Sequence, residues 1–308
     1  MTNDNELPGL EWVHSRLLTL GIDAGRGGRI VSLIDRVTGR EWLVQPKSTG
    51  EDVGYGASFT RRHIYGWDEM LPTIDACSLG GVDIPDHGEV WAVPWFRRRP
   101  RHANGLHLAV DTTTMQLTLS REAWPLGDTI VLDYELHNRG DHPQPFLWAA
   151  HPQFQVGRHA EVSLFTDPVG CNVVSPRGAS GPRAWRDVLD EAGRLNKGSH
   201  LKVWMEGPAH GGAVTVQDAG SMLRMQWQGQ HLRHLAILWD NGEFSSQRVL
   251  AIEPANAGHD ALSAAIDADD VVTLPAGESL RWSIELSASG EHLSGTAGLP
   301  TPTVPATY

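Results

Sequence analysis

TIVLDYELHNRGDHPQPFLWAAHPQFQV, Thr129 to Val156, is the stretch whose reading decides the fold class. Ile130, Leu132, Tyr134 and Leu136 recur at every second position, the period at which side chains share one face of a strand. Asn138-Arg139-Gly140-Asp141 then supplies turn chemistry, and Pro145 to Val156 returns as a strand that carries His151 into a sheet.

Outward from this pair the same grammar repeats. Residues 12–20 and 29–35 have strand composition, and Asp35 to Gly39 is a turn leading into Glu41-Trp42-Leu43-Val44. LHLAV (106–110) and MQLTLS (115–120) alternate apolar and polar residues as a second hairpin. Further strands are predicted at 201–205, 213–217, 222–227, 235–239, 248–253, 271–274 and 280–286, with one short helix near Asp187 to Leu195. No βαβ rhythm and no fixed-period repeat is present, which argues against a parallel sheet and against a propeller. The prediction is an all-β chain, a large antiparallel β-sandwich, with residues 1–290 as one domain and 291–308 as a mobile tail rich in Gly, Pro and Thr.

Composition narrows the function. A net charge of −12 speaks against a nucleic-acid partner, which needs a basic face to neutralise phosphates. No apolar run approaches eighteen residues and no charged-then-apolar leader is visible, so no membrane partner is expected. Two cysteines, Cys77 and Cys171, are too few for a disulfide framework or a cysteine-based zinc site and are consistent with a reducing compartment. The expectation is a soluble cytoplasmic protein, monomer or homodimer.

Chemistry-bearing residues gather first between His63 and Trp95. His63, Asp68, Glu69, Asp75, Asp83, Asp86, His87 and Glu89 are interleaved there with Tyr65, Trp67, Trp91 and Trp95. Carboxylates and imidazoles beside indoles suit a polyhydroxylated ligand, because indole faces pack on sugar C–H faces while polar groups bond hydroxyls. Two later positions join them: His151 in AAHPQF, and Glu253 in LAIEPANAG, where Pro254 is expected to end a strand and leave the carboxylate at a mouth. From spacing alone each of these is more often a satisfied surface or core histidine or a solvated loop carboxylate.

The ordered series GWDEMLPTID (66–75), IPDHGEVW (84–91), the opening strand pair, LAILWDN (235–241), VLAIEP (249–254) and LPAGESLRWSIEL (274–286) resembles the galactose mutarotase-like superfamily, whose best known members are aldose 1-epimerases. The resemblance implies that His151 is the general acid on the sugar's ring oxygen, Glu253 the general base on the anomeric hydroxyl, and His87 a substrate ligand near the ring oxygen. It places Arg61 or Arg62 where a substrate-binding arginine stands. Asp68 is a further candidate ligand, and Trp67, Trp91 and Trp239 are candidate stacking platforms. The aspartate with which galactose-specific members bind hydroxyls is missing from NKGSHLKVWMEG (196–207), where Lys202 or His200 could substitute and admit an acidic sugar.

Opening a hemiacetal ring needs one proton taken from the anomeric oxygen and one given to the ring oxygen, so a carboxylate and an imidazole suffice, without metal or cofactor. The expected activity is therefore interconversion of the anomers of a free or acidic sugar. Two other readings of the residues stand beside it. One is a carbohydrate-binding protein on the same sandwich without turnover. The other is a cupin-like metal isomerase built from His63, Asp68, Glu69, His87 and Glu89, although His87-Gly88-Glu89 offers a single histidine where a cupin needs a close pair.

Overall fold

In the computed structural model, residues 9–46, 54–59, 64–165, 170–174, 181–206 and 212–290 are described. Arg61, Arg62, His63 and the tail after 290 lie outside them. Two large antiparallel sheets make up the chain. The first has ten strands in the spatial order β1 (Glu11–His14), β2 (Leu18–Asp23), β3 (Arg29–Asp35), β4 (Trp67–Met70), β12 (Ala149–Gln155), β20 (Arg248–Ala255), β19 (His234–Asn241), β16 (His200–Met205), β14 (Cys171–Val174) and β15 (Gly181–Arg183). The second has eight, in the order β13 (Glu161–Leu164), β17 (Ala213–Asp218), β18 (Ser221–Gln228), β22 (Ser279–Gly290), β10 (Thr129–Asn138), β9 (Leu117–Leu126), β8 (Leu106–Asp111) and β7 (Phe96–Arg98). Two small ribbons, β5 (Cys77–Leu79) with β6 (Val82–Ile84) and β11 (Gln144–Phe146) with β21 (Val272–Leu274), complete the β structure. Helices α1 (Trp185–Arg194) and α2 (Leu262–Asp267) are short.

The alternation along β10 works as its sequence requires. Ile130, Leu132, Tyr134 and Leu136 are buried, and in register they meet Leu286, Ile284, Trp282 and Leu280 of β22 on one side and Pro125, Ala123, Arg121 and Leu119 of β9 on the other. The apolar residues Ile130, Leu132, Tyr134, Leu136, Leu286, Ile284, Trp282, Ala123 and Leu119 join Leu250, Ile252, Ile237, Trp239, Val203 and Phe154 of the first sheet in one apolar cluster between the layers. Each fully buried Leu or Ile contributes roughly 1.5–3 kcal/mol of transfer free energy, and that burial holds the layers together.

A polar tie crosses the same interior. Arg121 on β9 pairs with Glu69 on β4 at 2.7 Å, and the Tyr134 hydroxyl donates to the same carboxylate oxygen at 2.8 Å. Beside it Arg29 meets Asp68 at 2.7 Å, with both side chains fully buried.

Three local expectations are corrected. Residues 12–20 form two strands, because Ser15 turns the chain: its hydroxyl accepts from Leu18 N–H and donates to Asp128 C=O. Glu41 to Val44 makes isolated bridges only, and the Glu41 carboxylate instead accepts from the backbone N–H of Leu33 and Leu43. The run from Pro145 to Val156 breaks at Leu147 and Trp148, where Asn256 accepts from Trp148 N–H and donates to Phe146 C=O.

Candidate active site

Strands β12, β20, β19 and β16 lie side by side, and the residues on the face turned away from the apolar cluster form the floor of a cleft of about 470 Å³. Cross-strand register arranges that floor in rows. Ala149 faces Ala255 and Gln153 faces Ala251, so His151 and Glu253 stand directly opposite one another, and Glu253 in turn faces Ala236. The next row runs Gln153, Ala251, Leu238, Lys202. Adjacent strands are about 4.8 Å apart and alternate residues about 6.7 Å along a strand. Ala251 leaves room in the cleft because it puts almost no volume where its neighbours Gln153 and Leu238 project long side chains.

The chemistry concentrates at the row of His151. Its Nε2 is 3.8 Å from Glu253 Oε1, and Lys202 Nζ lies 3.4 Å from Glu253 Oε2 and 2.7 Å from Asp260 Oδ1. Burial pushes the His151 imidazole well below its usual range, and the nearby charges of His87, Lys202 and Arg29 add to that. Burial raises the Glu253 carboxyl, against the lowering pull of Lys202. The proton's ordinary preference for imidazole over carboxylate is thus eroded from both sides. Burial also works against the Lys202 ammonium, but Glu253 and Asp260 outweigh it and hold the amine charged.

His87 closes the cleft from above. It sits at φ 59 in a tight turn, its Nδ1 is 2.7 Å from Asp86 Oδ1, and its ring stacks on Phe59 with centroids 3.8 Å apart. The other oxygen of Asp86 accepts the Phe59 N–H at 2.8 Å, so one carboxylate fixes both members of the stack. Burial opposes the Asp86 charge, yet its bond to His87 wins and lowers its pKa. The His87 and His151 rings are 5.3 Å apart. Gly88 is required beside His87: at φ +76 a Cβ there would stand 2.0 Å from Leu71 O.

Of the residues expected from sequence, His87, His151, Lys202 and Glu253 line the cleft together. Asp68 shares a sheet row and a face with His151, but it is buried and its carboxylate is bound by Arg29. The three tryptophans are corrected from platforms to packing. Trp67 and Trp239 point into the apolar cluster, because each stands one residue off the cleft-facing parity of its strand. Trp91 is buried, donates to Asp86 C=O, and braces Phe59 edge-on at 5.1 Å. Pro254 does not end its strand, which continues to Ala255, so Glu253 belongs to the cleft floor and not to a mouth.

Sequence reasoning missed Phe59, Gln153 and Asp260. Gln153 had a signal, two residues from His151 on the same face; Asp260 comes from a loop with none. The residues proposed for a metal part company: Glu69 turns to Arg121 and Tyr134, while Glu89 binds Tyr55 and the Thr113 and Thr114 backbone. Among the described residues no three His, Cys, Asp or Glu side chains gather as a metal site.

The architecture has clear relatives among solved structures. A galactose mutarotase-like protein from Lactobacillus casei superposes with a TM-score of 0.64 at 16% identity, over 91% of this chain and 100% of its own. The chain has the galactose mutarotase-like fold. A second galactose mutarotase-like protein, from Clostridium acetobutylicum, gives 0.66 at 16% identity over 91% and 94% of the two chains. The Slr1438 protein of Synechocystis sp. PCC 6803 gives 0.70 at 15%, covering 94% and 99%. No family model matches the chain, and no curated protein matches it in sequence. In this galactose mutarotase-like fold the cleft described above lies on the exposed face of the ten-stranded sheet.

Proposed function

We propose that the chain is an aldose 1-epimerase-like isomerase that interconverts the anomers of a free sugar. The observation that carries this reading is the buried His151–Glu253 pair, 3.8 Å apart at the floor of a cleft large enough for a monosaccharide. Glu253 takes the proton of the anomeric hydroxyl as the bond between C1 and the ring oxygen breaks, and His151 delivers a proton to that oxygen. The open aldehyde turns about the C1–C2 bond. On closure His151 takes the hydroxyl proton and Glu253 returns its own to the carbonyl oxygen, so both residues end as they began. Opposite shifts of the two pKa values suit a cycle in which each must be both donor and acceptor. His87, across from His151, is placed to bond the sugar near its ring oxygen.

Lys202 favours a neutral sugar over an acidic one, since its charge is already shared by Glu253 and Asp260. Anomeric-exchange NMR across hexoses, uronic acids and sugar phosphates tests the reading. Exchange above the spontaneous rate is expected for the wild type, falling by about 10²-fold or more in Glu253→Gln and His151→Ala. Equal rates for all three proteins on every sugar would remove the assignment. Binding with no exchange in the wild type would leave a sugar-binding protein.

A further inference from the structure

Gln153 is the anomaly of the cleft. It is 1% exposed and borders the cavity, yet neither the oxygen nor the nitrogen of its side-chain amide has a hydrogen-bond partner among the described residues. Its backbone is fully engaged, the N–H donating to Gly66 C=O and the C=O accepting from Val44 N–H, so the side chain is held in place on a fixed strand. A buried primary amide without partners is costly, because donor and acceptor have both given up water. An apolar side chain of similar size would fill the same space at no such cost. An amide kept here is matched to a ligand.

The neighbours define that ligand. Gln153 follows His151 by two residues on the same face, about 6.7 Å along the strand. Beyond His151 and Glu253 the cavity continues over Ala251, with Gln153 on one flank and Lys202 on the other. A ring whose reacting end sits at His151 and Glu253 must lie over Ala251, with its edge against Gln153. A primary amide offers a donor and an acceptor side by side, the complement of two adjacent hydroxyls, each able to donate and accept.

We infer that Gln153 is a specificity residue that reads a pair of adjacent hydroxyls on the sugar, away from the anomeric carbon. The inference rests on the anomerase reading of the same cleft. A site that buries polar groups for a hydroxyl discriminates strongly against the analogue that lacks it, because the protein groups are then left unpaired.

The test compares wild type with Gln153→Leu on a parent hexose and its monodeoxy analogues, reading kcat and KM by anomeric exchange and thermal stability in the absence of sugar. In wild type, removing one of the two hydroxyls should raise KM about tenfold. In Gln153→Leu the parent sugar should already show that loss, the deoxy analogue should lose little more, and kcat should fall much less than KM rises. The ligand-free variant should melt higher than wild type, which also shows that it folds. Equal and additive losses for every deoxy sugar in both proteins, or an unchanged parent KM in the variant, would overturn the inference while leaving the anomerase reading intact. A wild type that exchanges no sugar would defeat both.

Discussion

Lys202 is the residue on which the electrostatics of the cleft turn. Its ammonium bridges Glu253 and Asp260 and is the largest influence drawing the Glu253 pKa down against burial. In Lys202→Met that pull is gone and Asp260 pushes the other way, so Glu253 should ionise at higher pH. The acid limb of a kcat/KM profile should therefore move to higher pH, and Lys202→Arg should move it back. Unpairing the buried Glu253 and the half-buried Asp260 should also cost about 3–5 kcal/mol in a denaturant titration. At this scale the sequence was generous with identities and poor in company. His151 and Glu253 could be singled out from their strand contexts and a family likeness, but spacing says nothing about a contact between residues about a hundred positions apart. Asp260 was invisible because it reaches Lys202 from a loop. The tryptophans misled because an indole beside carboxylates reads as a platform, whereas strand parity sends Trp67 and Trp239 to the interior.

Among the elements, the turn from Pro85 to Glu89 is the most constrained. His87 N–H donates to Ile74 C=O, Glu89 N–H to Leu71 C=O, and Gly88 takes a left-handed conformation against Leu71. Gly88→Ala must displace that turn, and with it the His87–Phe59 stack. A loss of at least tenfold in kcat/KM and about 1–3 kcal/mol in stability is expected. Gly193 is the counter-case. It lies within α1 in a conformation open to any residue, and a Cβ there meets nothing within 4 Å. Gly193→Ala should add about 0.5–1 kcal/mol, read as a higher denaturation midpoint with unchanged anomeric exchange. Strand periods were legible throughout, as in β10 and β22, because alternation is written directly in side-chain chemistry. The breaks were not: Ser15 and Asn256 interrupt strands through hydrogen bonds whose partners, Asp128 and Phe146, lie over a hundred residues away.

For the whole molecule, the buried tie between the sheets makes stability depend on pH. Burial raises the Glu69 pKa from its ordinary 4.5 to about 7, although Arg121 and the Tyr134 hydroxyl pull it down. A raised carboxyl pKa stabilises the fold fully below pH 4.5, where both folded and unfolded chains hold the proton. That contribution is lost as pH climbs to about 7, a change of about 3 kcal/mol. Glu69→Gln, which mimics the protonated carboxyl, should flatten the pH dependence of Tm across this window, so that the Tm of the variant minus that of wild type rises from pH 4.5 to pH 8. The sandwich itself was predictable from composition and strand count, but not which strands neighbour which: β12 takes its partners from β4 and β20, far away on either side in sequence. Within those strands odd and even positions have separate duties, since Leu250, Ile252 and Trp239 belong to the interior while Val249, Ala251, Glu253 and Leu238 face the cleft. That division makes the molecule easy to repurpose. Randomising Leu238, Val249 and Ala251 edits the tool without touching the handle, so most members of such a library should stay folded while the ligands that the cleft accepts change.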